Sequence, residues 1–167
     1  MEPVTIFAAV SASWRVNGNR SALTYHAGTQ ATEYTHAELQ AIVHKLRSAL
    51  WASGLRPGDR AALLSENRPE WAIADLACQS LGIVTIPIYP TIPQIQVEHI
   101  LNDCMASIAF GSTKEQVAKL VQSKPNCSTL KHIIGLDVSD STDSDAWSDL
   151  LGTADSCDKS PNDFDLL

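Results

Sequence analysis

Tyr89 and Thr91 are the polar residues placed best for chemistry, because they directly follow the apolar run IVTIPI at residues 83–88. The run is β-branched and nearly all apolar, which is typical of a strand covered on both faces. Ligands of α/β proteins bind outside the carboxyl ends of parallel strands. The two side chains are therefore candidates for the lining of a ligand passage, with a packed turn as the favoured alternative.

The glycine pattern excludes the common phosphate-binding and nucleophile motifs. The closest pair, Gly54 and Gly58, lies four positions apart, so no G-x-G loop occurs, and no pair of glycines has the Walker spacing with a following lysine. The pair has the spacing of a nucleophile elbow, but Arg56 stands at the centre, where a serine is needed. No His–Glu zinc motif occurs, and no Ser/His/Asp set rests on more than composition. The sequence therefore predicts no catalytic, cofactor-binding or metal-binding residue in this chain.

The four cysteines, Cys78, Cys104, Cys127 and Cys157, lie at least 23 residues apart. This spacing excludes CxxC pairs and is typical of isolated thiols in a reducing compartment. The chain starts with an acidic rather than a basic segment, and its first apolar run, about seven residues, is too short for a signal peptide. No segment is long enough to span a bilayer. We therefore expect a cytoplasmic protein.

The formal net charge of −7 comes from the end of the chain. From Asp137 onward there are nine aspartates against Lys159 alone, whereas the first 136 residues hold 11 Lys and Arg against 10 Asp and Glu. Neither part resembles the basic surface that a nucleic-acid-binding protein requires. The Ser- and Asp-rich end is typical of a solvated linker with one short helical turn at residues 147–151, and a cation site there is disfavoured.

Helix and strand signals alternate along the rest of the chain. Thr35 and Glu38 have the spacing of a capping box, which is worth roughly 1 kcal/mol and predicts the start of a helix. Alternating strands and helices indicate an α/β fold with a doubly wound, mostly parallel sheet flanked by helices, and an N-terminal β-hairpin precedes it. The predicted helices are at 7–16, from 35, after 67, at 94–102 and after 113, and the strands are at 23–34 (the hairpin), 61–65, 83–88, 107–111 and 131–135.

Structural roles account for the residues that start the third helix. Asn67 occupies the predicted N-cap position, Pro69 lies in the first turn and Glu70 follows it, so we interpret them as helix-start residues rather than ligands. Trp71 fits the buried face of the same helix and is predicted to anchor the core.

Other polar residues have equally ordinary interpretations. Asp75 could pair with Arg60 or Arg68, or be solvated. His99 and His132 are interpreted as surface or core imidazoles.

Four segments together resemble one enzyme family. In order they are GLRPGDR (54–60), SENRPEW (65–71), IADLA (73–77) and IPIYPT (86–91). This order and spacing are similar to the N-terminal region of the AMP-forming acyl-CoA synthetases, which are adenylate-forming enzymes. SENRPEW with YPT is most similar to the long-chain fatty acid branch. The resemblance extends from about Tyr34 to Phe110, with a weaker similarity in PNDFDLL at 161–167.

The resemblance implies that a full-length relative uses ATP, Mg²⁺ and CoA to convert a fatty acid into its acyl-CoA. In the family, a Gly/Ser/Thr-rich phosphate loop follows a segment like PNDFDLL, and this sequence stops at Leu167. We therefore expect residues 1–136 to be the N-terminal α/β portion of an AMP-binding domain, incomplete relative to the family's large N-terminal domain. Residues 137–167 would be an acidic linker leading to the loop. The chain alone is expected to hold no cofactor and to be inactive. An acyl or CoA passage is the ligand path that Tyr89 and Thr91 could line in part, with a packed turn still the favoured alternative.

Two other functions remain open at the level of sequence. The first is a free-standing interaction or regulatory module that pairs with a related synthetase or with a separately encoded C-terminal portion. It would expose sheet edges and apolar surface that the rest of the domain otherwise covers. The second is a small flavodoxin-like domain that binds a nucleotide or CoA, which is ranked last because no anion-binding loop is visible.

Overall fold

The computed structural model describes residues 5–137 and 144–153. A small hairpin and a larger sheet account for the strands, and helices cover both faces of the larger sheet. In chain order the elements are α1 (Ile6–Asn17), β1 (Ser21–Ala27), β2 (Gln30–Thr35), α2 (His36–Ala52), β3 (Arg60–Leu64), α3 (Pro69–Ser80), β4 (Val84–Ile88), α4 (Gln94–Asp103), β5 (Ile108–Gly111), α5 (Lys114–Ser123), a 3-10 turn (Lys124–Asn126), β6 (His132–Gly135), β7 (Asp145–Ala146) and α6 (Trp147–Thr153).

The larger sheet has the strand order β4-β3-β5-β6-β7, and every neighbouring pair is parallel. The hairpin β1-β2 is antiparallel and forms a separate two-stranded sheet. Its turn contains Gly28 at φ +62°, a conformation that glycine adopts without strain. The predicted fold class, a parallel α/β sheet flanked by helices with an N-terminal hairpin, is confirmed.

Two hydrophobic clusters lie on opposite faces of the sheet. Successive side chains of β3 alternate between them, because neighbouring residues of a strand point to opposite faces. Ala61 and Leu63 join the cluster under α1, α2 and α3, whereas Ala62 and Leu64 join the cluster under α4 and α5. All four side chains are buried, so helices cover both faces of β3.

Strand β4 is an edge strand, and the prediction that it is covered on both faces is wrong, because Val84 on one face and Pro87 on the other are exposed. Val84 is 54% exposed, and Ile88 is the buried residue of the strand. Val84 donates its N–H to the carbonyl of Asp59 beside β3. By alternation, the nitrogen of Pro87 faces away from β3, the position where an edge strand tolerates proline. Apolar composition identified a strand here, but it does not report how completely the helices cover its faces.

Helix caps explain where two helices begin. Thr35 accepts a hydrogen bond from the Glu38 N–H at 3.2 Å, and the Glu38 carboxylate accepts one from the Thr35 N–H at 2.9 Å. The predicted capping box is therefore confirmed. Thr113 caps α5 in a simpler way, by accepting a hydrogen bond from the Gln116 N–H.

The predicted N-cap of α3, Asn67, is wrong by one residue. The cap is Arg68, in extended backbone at φ −155°, and its own side chain makes no capping bond. Pro69 takes the first helical position, for which its ring is preorganised, and the residue before a proline is forced out of helical geometry. The proline therefore sets the start of the helix, and Asn67 lies outside it.

Residues 145–153 fold onto the far end of the sheet. The helical turn predicted at 147–151 is confirmed as α6, whereas the strand β7 that precedes it was not predicted. The ring of Trp147 packs edge-on against Phe110 at 6.4 Å, and Leu150 is buried. Cys157 and the PNDFDLL segment lie outside the described residues, and the division of the chain at residue 136 stays a prediction.

Candidate functional site at the carboxyl edge of the sheet

The chain reverses direction across the sheet between β3 and β5. It leaves β3 for α3 on one face, and it leaves the neighbouring β5 for α5 on the other face. The loops that follow the two strands therefore diverge, which creates the kind of crevice where open α/β sheets bind ligands. Glu66 and Ser112 stand at its two sides.

A hydrogen-bond network fills this crevice. The Ser112 hydroxyl donates to the Glu66 carboxylate, and the Gln116 amide donates to the other carboxylate oxygen at 2.5 Å. The Ser112 N–H donates to the Gln116 carbonyl oxygen at 3.0 Å, and Ser112 is fully buried. The hydrogen bond from Ser112 is the main cause that lowers the pKa of Glu66. An ionised carboxylate at this position would oppose the negative charge of a phosphate group.

Arg68 connects the start of α3 to the exit of β6. Its two terminal nitrogens donate to the two carboxylate oxygens of Asp137, both at 2.7 Å, and its Nε donates to Glu70 at 2.7 Å. The Arg68 side chain is only 17% exposed. These hydrogen bonds, first of all those to Asp137, raise the pKa of Arg68. The pKa of Tyr34 is also raised, mainly by burial and next by the charge of Glu70.

An open cleft of about 400 Å³ lies beside the crevice, at the carboxyl ends of β3 and β4. Tyr89 is 81% exposed at this cleft, whereas Trp71 is half-buried. A smaller cleft of about 250 Å³ lies on the other side of the β3–α3 loop, against the hairpin, and shares Asn67 and Trp71 with the first. The carboxyl-edge cleft, as we call the larger one, is lined by Ser65, Glu66, Asn67, Trp71, Pro87, Ile88, Tyr89 and Pro90.

The structure places the residues proposed from sequence in different surroundings. Tyr89 lines the carboxyl-edge cleft, whereas Thr91 is exposed beyond it. Trp71 packs partly against the core and partly borders both clefts, so it is less buried than expected of a core anchor. Glu66 and Ser112 were missed, although they also follow buried strands, which is the placement that identified Tyr89.

Asp75 pairs with neither arginine, which corrects the proposed pairings. It accepts hydrogen bonds from Thr85 and from Gln79, both at 2.7 Å. Arg60 instead donates to the backbone carbonyls of Cys104 and Gly58. Asp75 and Gln79 are one helical turn apart, a spacing at which two side chains of a helix meet.

The described residues offer few other reactive groups. Cys78, Cys104 and Cys127 are free thiols, and burial is the first cause that raises the pKa of each. In residues 5–137 and 144–153, His, Cys, Asp and Glu side chains form no group of three that could hold a metal ion. Over the same residues, no helix combines the length and apolar character needed to cross a membrane.

Known proteins share the sequence pattern of this chain. A family model described as "AMP-binding enzyme" matches residues 10–164. The long-chain-fatty-acid–CoA ligase FadD15 of Mycobacterium bovis is 31% identical over 103 residues, which are 62% of this chain and 17% of that protein. The peroxisomal acyl-CoA ligase 891 of Penicillium roqueforti is 41% identical over 83 residues, 49% of this chain and 12% of that ligase.

Solved structures show the same fold. The adenylation domain of a carboxylate reductase from Mycobacterium chelonae matches with a TM-score of 0.83 at 18% identity, over 96% of this chain and 30% of that one. The chain thus spans less than a third of these relatives. The resemblance to adenylate-forming acyl-CoA synthetases, first seen in the four segments between residues 54 and 91, is confirmed. Because the family model matches nearly the whole sequence, the chain belongs to the AMP-binding enzyme family.

Proposed function

We propose that this chain is the N-terminal portion of the AMP-binding domain of a long-chain fatty acid–CoA ligase. The match to the AMP-binding family over residues 10–164 is the observation that most supports the proposal. The similarity to FadD15, together with SENRPEW and YPT, favours a long-chain acid over other carboxylates. The complete ligase would convert a fatty acid, ATP and CoA into acyl-CoA, AMP and pyrophosphate.

In this proposal the described residues supply a scaffold rather than catalytic groups. Adenylation and thioester formation both build negative charge on oxygen atoms, which a site must stabilise with cations or N–H donors. At the crevice between β3 and β5, the ionised Glu66 carboxylate would oppose such charge. ATP, Mg²⁺ and CoA would therefore be held by residues outside the described ones, and the 167-residue chain by itself would be inactive.

Fatty-acid-dependent exchange of pyrophosphate into ATP tests both parts of the proposal. The purified 167-residue chain should give only background exchange, and exchange above background would contradict its inactivity. A longer polypeptide that contains this segment should show exchange that depends on the fatty acid, and should form acyl-CoA when CoA is added. A panel of acids of different chain length would contradict the long-chain assignment if short or aromatic acids were preferred.

A second candidate is an interaction or split-enzyme module that pairs with the remaining part of a synthetase. The observation in its favour is the high exposure of Tyr89 beside an open cleft. Exchange activity that appears only when the chain is mixed with a separate synthetase portion would favour this candidate over a single polypeptide.

A further inference from the structure

We propose that Cys104 and Cys127 form a redox-sensitive pair, which a low-molecular-weight disulfide oxidises to a reversible disulfide bond. Their spacing of 23 residues in the sequence predicted isolated thiols. The fold instead brings both thiols against one helix, α4. The pair is thus a modification site on the scaffold, and it is independent of the proposed ligase activity.

Neighbouring backbone carbonyls of α4 hold the two thiols. The Cys104 Sγ donates to the carbonyl of Leu101 at 3.7 Å, and the Cys127 Sγ donates to the carbonyl of Glu98 at 3.9 Å. Residues three apart in a helix are neighbours on its surface, about 4.5 Å apart along the axis. Burial raises the pKa of Cys127, followed by the charges of Glu98 and Cys104. The last of these effects requires the two sulfur atoms to lie near each other.

Unequal exposure sets the order of the reaction. Cys104 is half-buried, whereas Cys127 is only 1% exposed, so a dissolved oxidant reaches Cys104 first. The deprotonated Cys104 attacks one sulfur of the small disulfide and expels a thiolate, which takes up the proton. The deprotonated Cys127 then attacks the Cys104 sulfur of the mixed disulfide and expels the second thiol in the same way. Two protein thiols are oxidised in total, and one disulfide is reduced to two thiols.

Both cysteines lie where an element ends, Cys104 as the C-cap of α4 and Cys127 as the C-cap of the 3-10 turn. A disulfide needs its two Cα atoms within about 7 Å. A movement that closes this distance falls on the 3-10 turn and leaves the hydrogen bonds between the strands intact. The bond would close a loop that contains β5 and α5. Oxidation should therefore stabilise the folded chain, because a cross-link removes conformations from the unfolded state.

Oxidation of the folded, reduced 167-residue chain with oxidised glutathione, at a series of ratios to reduced glutathione, tests the pair. After the free thiols are blocked, mass spectrometry of the peptides identifies the linked cysteines. We expect one linked pair, Cys104 with Cys127, which reduced glutathione reverses. Cys78 is the internal control, because it is buried on the opposite face of the sheet and should stay a free thiol. The proposal is overturned by a pair that includes Cys78 or Cys157, by Cys104 that stops at the mixed disulfide, or by thiols that stay reduced at every ratio.

Two variants test the order of the reaction. Cys127→Ser should leave Cys104 as a mixed disulfide with glutathione, whereas Cys104→Ser should leave the buried Cys127 reduced. Equal glutathione uptake by the two variants would contradict this order.

A comparison that needs no substitution keeps the proposal testable if a variant does not fold. Oxidation of the original chain in urea should give a mixture of cysteine pairs. The same distribution of pairs in the folded and the unfolded chain would overturn the proposal, because the fold would then not select the pair. The oxidised folded chain should also unfold at a higher temperature than the reduced chain, and a lower unfolding temperature would mean that the bond distorts the fold. These readouts do not depend on ligase activity, so a failure of the proposed function is seen separately, in the exchange assay.

Discussion

Arg68 and Asp137 form a two-pronged ion pair, with both nitrogen–oxygen distances at 2.7 Å, although they are 69 residues apart in the sequence. Arg68 precedes α3, which follows β3, and Asp137 follows β6. Since β5 lies between β3 and β6 in the sheet, the pair spans the carboxyl end of β5. It joins loops from two non-adjacent strands and closes one side of the edge at which the candidate site lies.

Replacing Asp137 with Asn should lower the free energy of unfolding by about 1 kcal/mol, because a paired guanidinium then loses its anionic partner. Arg68→Lys should cost a similar amount, since an ammonium group cannot make the two parallel hydrogen bonds. Urea unfolding at low and high salt measures both, and the loss should shrink as salt screens the pair. Glu33→Gln on the exposed hairpin is the control, and a loss equal to that of Asp137→Asn would contradict a specific pair.

Gly111→Ala should destabilise the protein by about 1–3 kcal/mol, the usual cost of overpacking a core. A Cβ atom at Gly111 would lie 2.9 Å from Cγ2 of Val117 and 3.0 Å from its backbone nitrogen, so α5 would have to move away from β5. Gly152→Ala is the matched control, because a Cβ atom there meets open space within a helix. Thermal unfolding should show that Gly152→Ala leaves the free energy of unfolding unchanged or raises it by up to about 1 kcal/mol. Equal midpoints for the two variants would show that α5 does not pack tightly on β5.

Thr35→Ala should cost about 1 kcal/mol, because it removes the hydroxyl that accepts the Glu38 N–H at the start of α2. Thr35→Ser keeps the hydroxyl and should keep most of the stability. Chemical unfolding followed by circular dichroism compares the two variants. If serine and alanine cost the same, the capping hydrogen bond does not stabilise the helix.

The free energy of unfolding should decrease as the pH falls below about 4.3, partly because the Glu66 carboxylate becomes protonated. The folded state lowers the pKa of Glu66, chiefly because the Ser112 hydroxyl donates to its carboxylate. A lowered pKa means that the contribution is complete above the unfolded value and is lost as the pH falls through the folded value. Glu66→Gln should therefore lose less stability than the original chain between about pH 6 and 3, whereas Glu33→Gln should lose as much. A Glu66→Gln variant with an unchanged pH profile would contradict this assignment.

Local sequence signals predicted the elements better than the site. The spacing of Thr35 and Glu38 fixed the start of α2, because a capping box involves residues only three positions apart. The edge position of β4 depends on which strands pair, and the pairing of Arg68 with Asp137 depends on the order β3-β5-β6; neither is a local property. The Glu66–Ser112 hydrogen bond joins residues 46 positions apart and was missed for the same reason.

The mass of the native protein in its source cells tests the central claim most directly. An antibody raised against residues 54–91 would isolate the protein, and mass spectrometry would give its intact mass. The account predicts a species several times heavier than the 18.0 kDa of this sequence, because the matched relatives are several times longer. A single species of 18.0 kDa would contradict the proposal that this chain is one portion of a single-chain ligase.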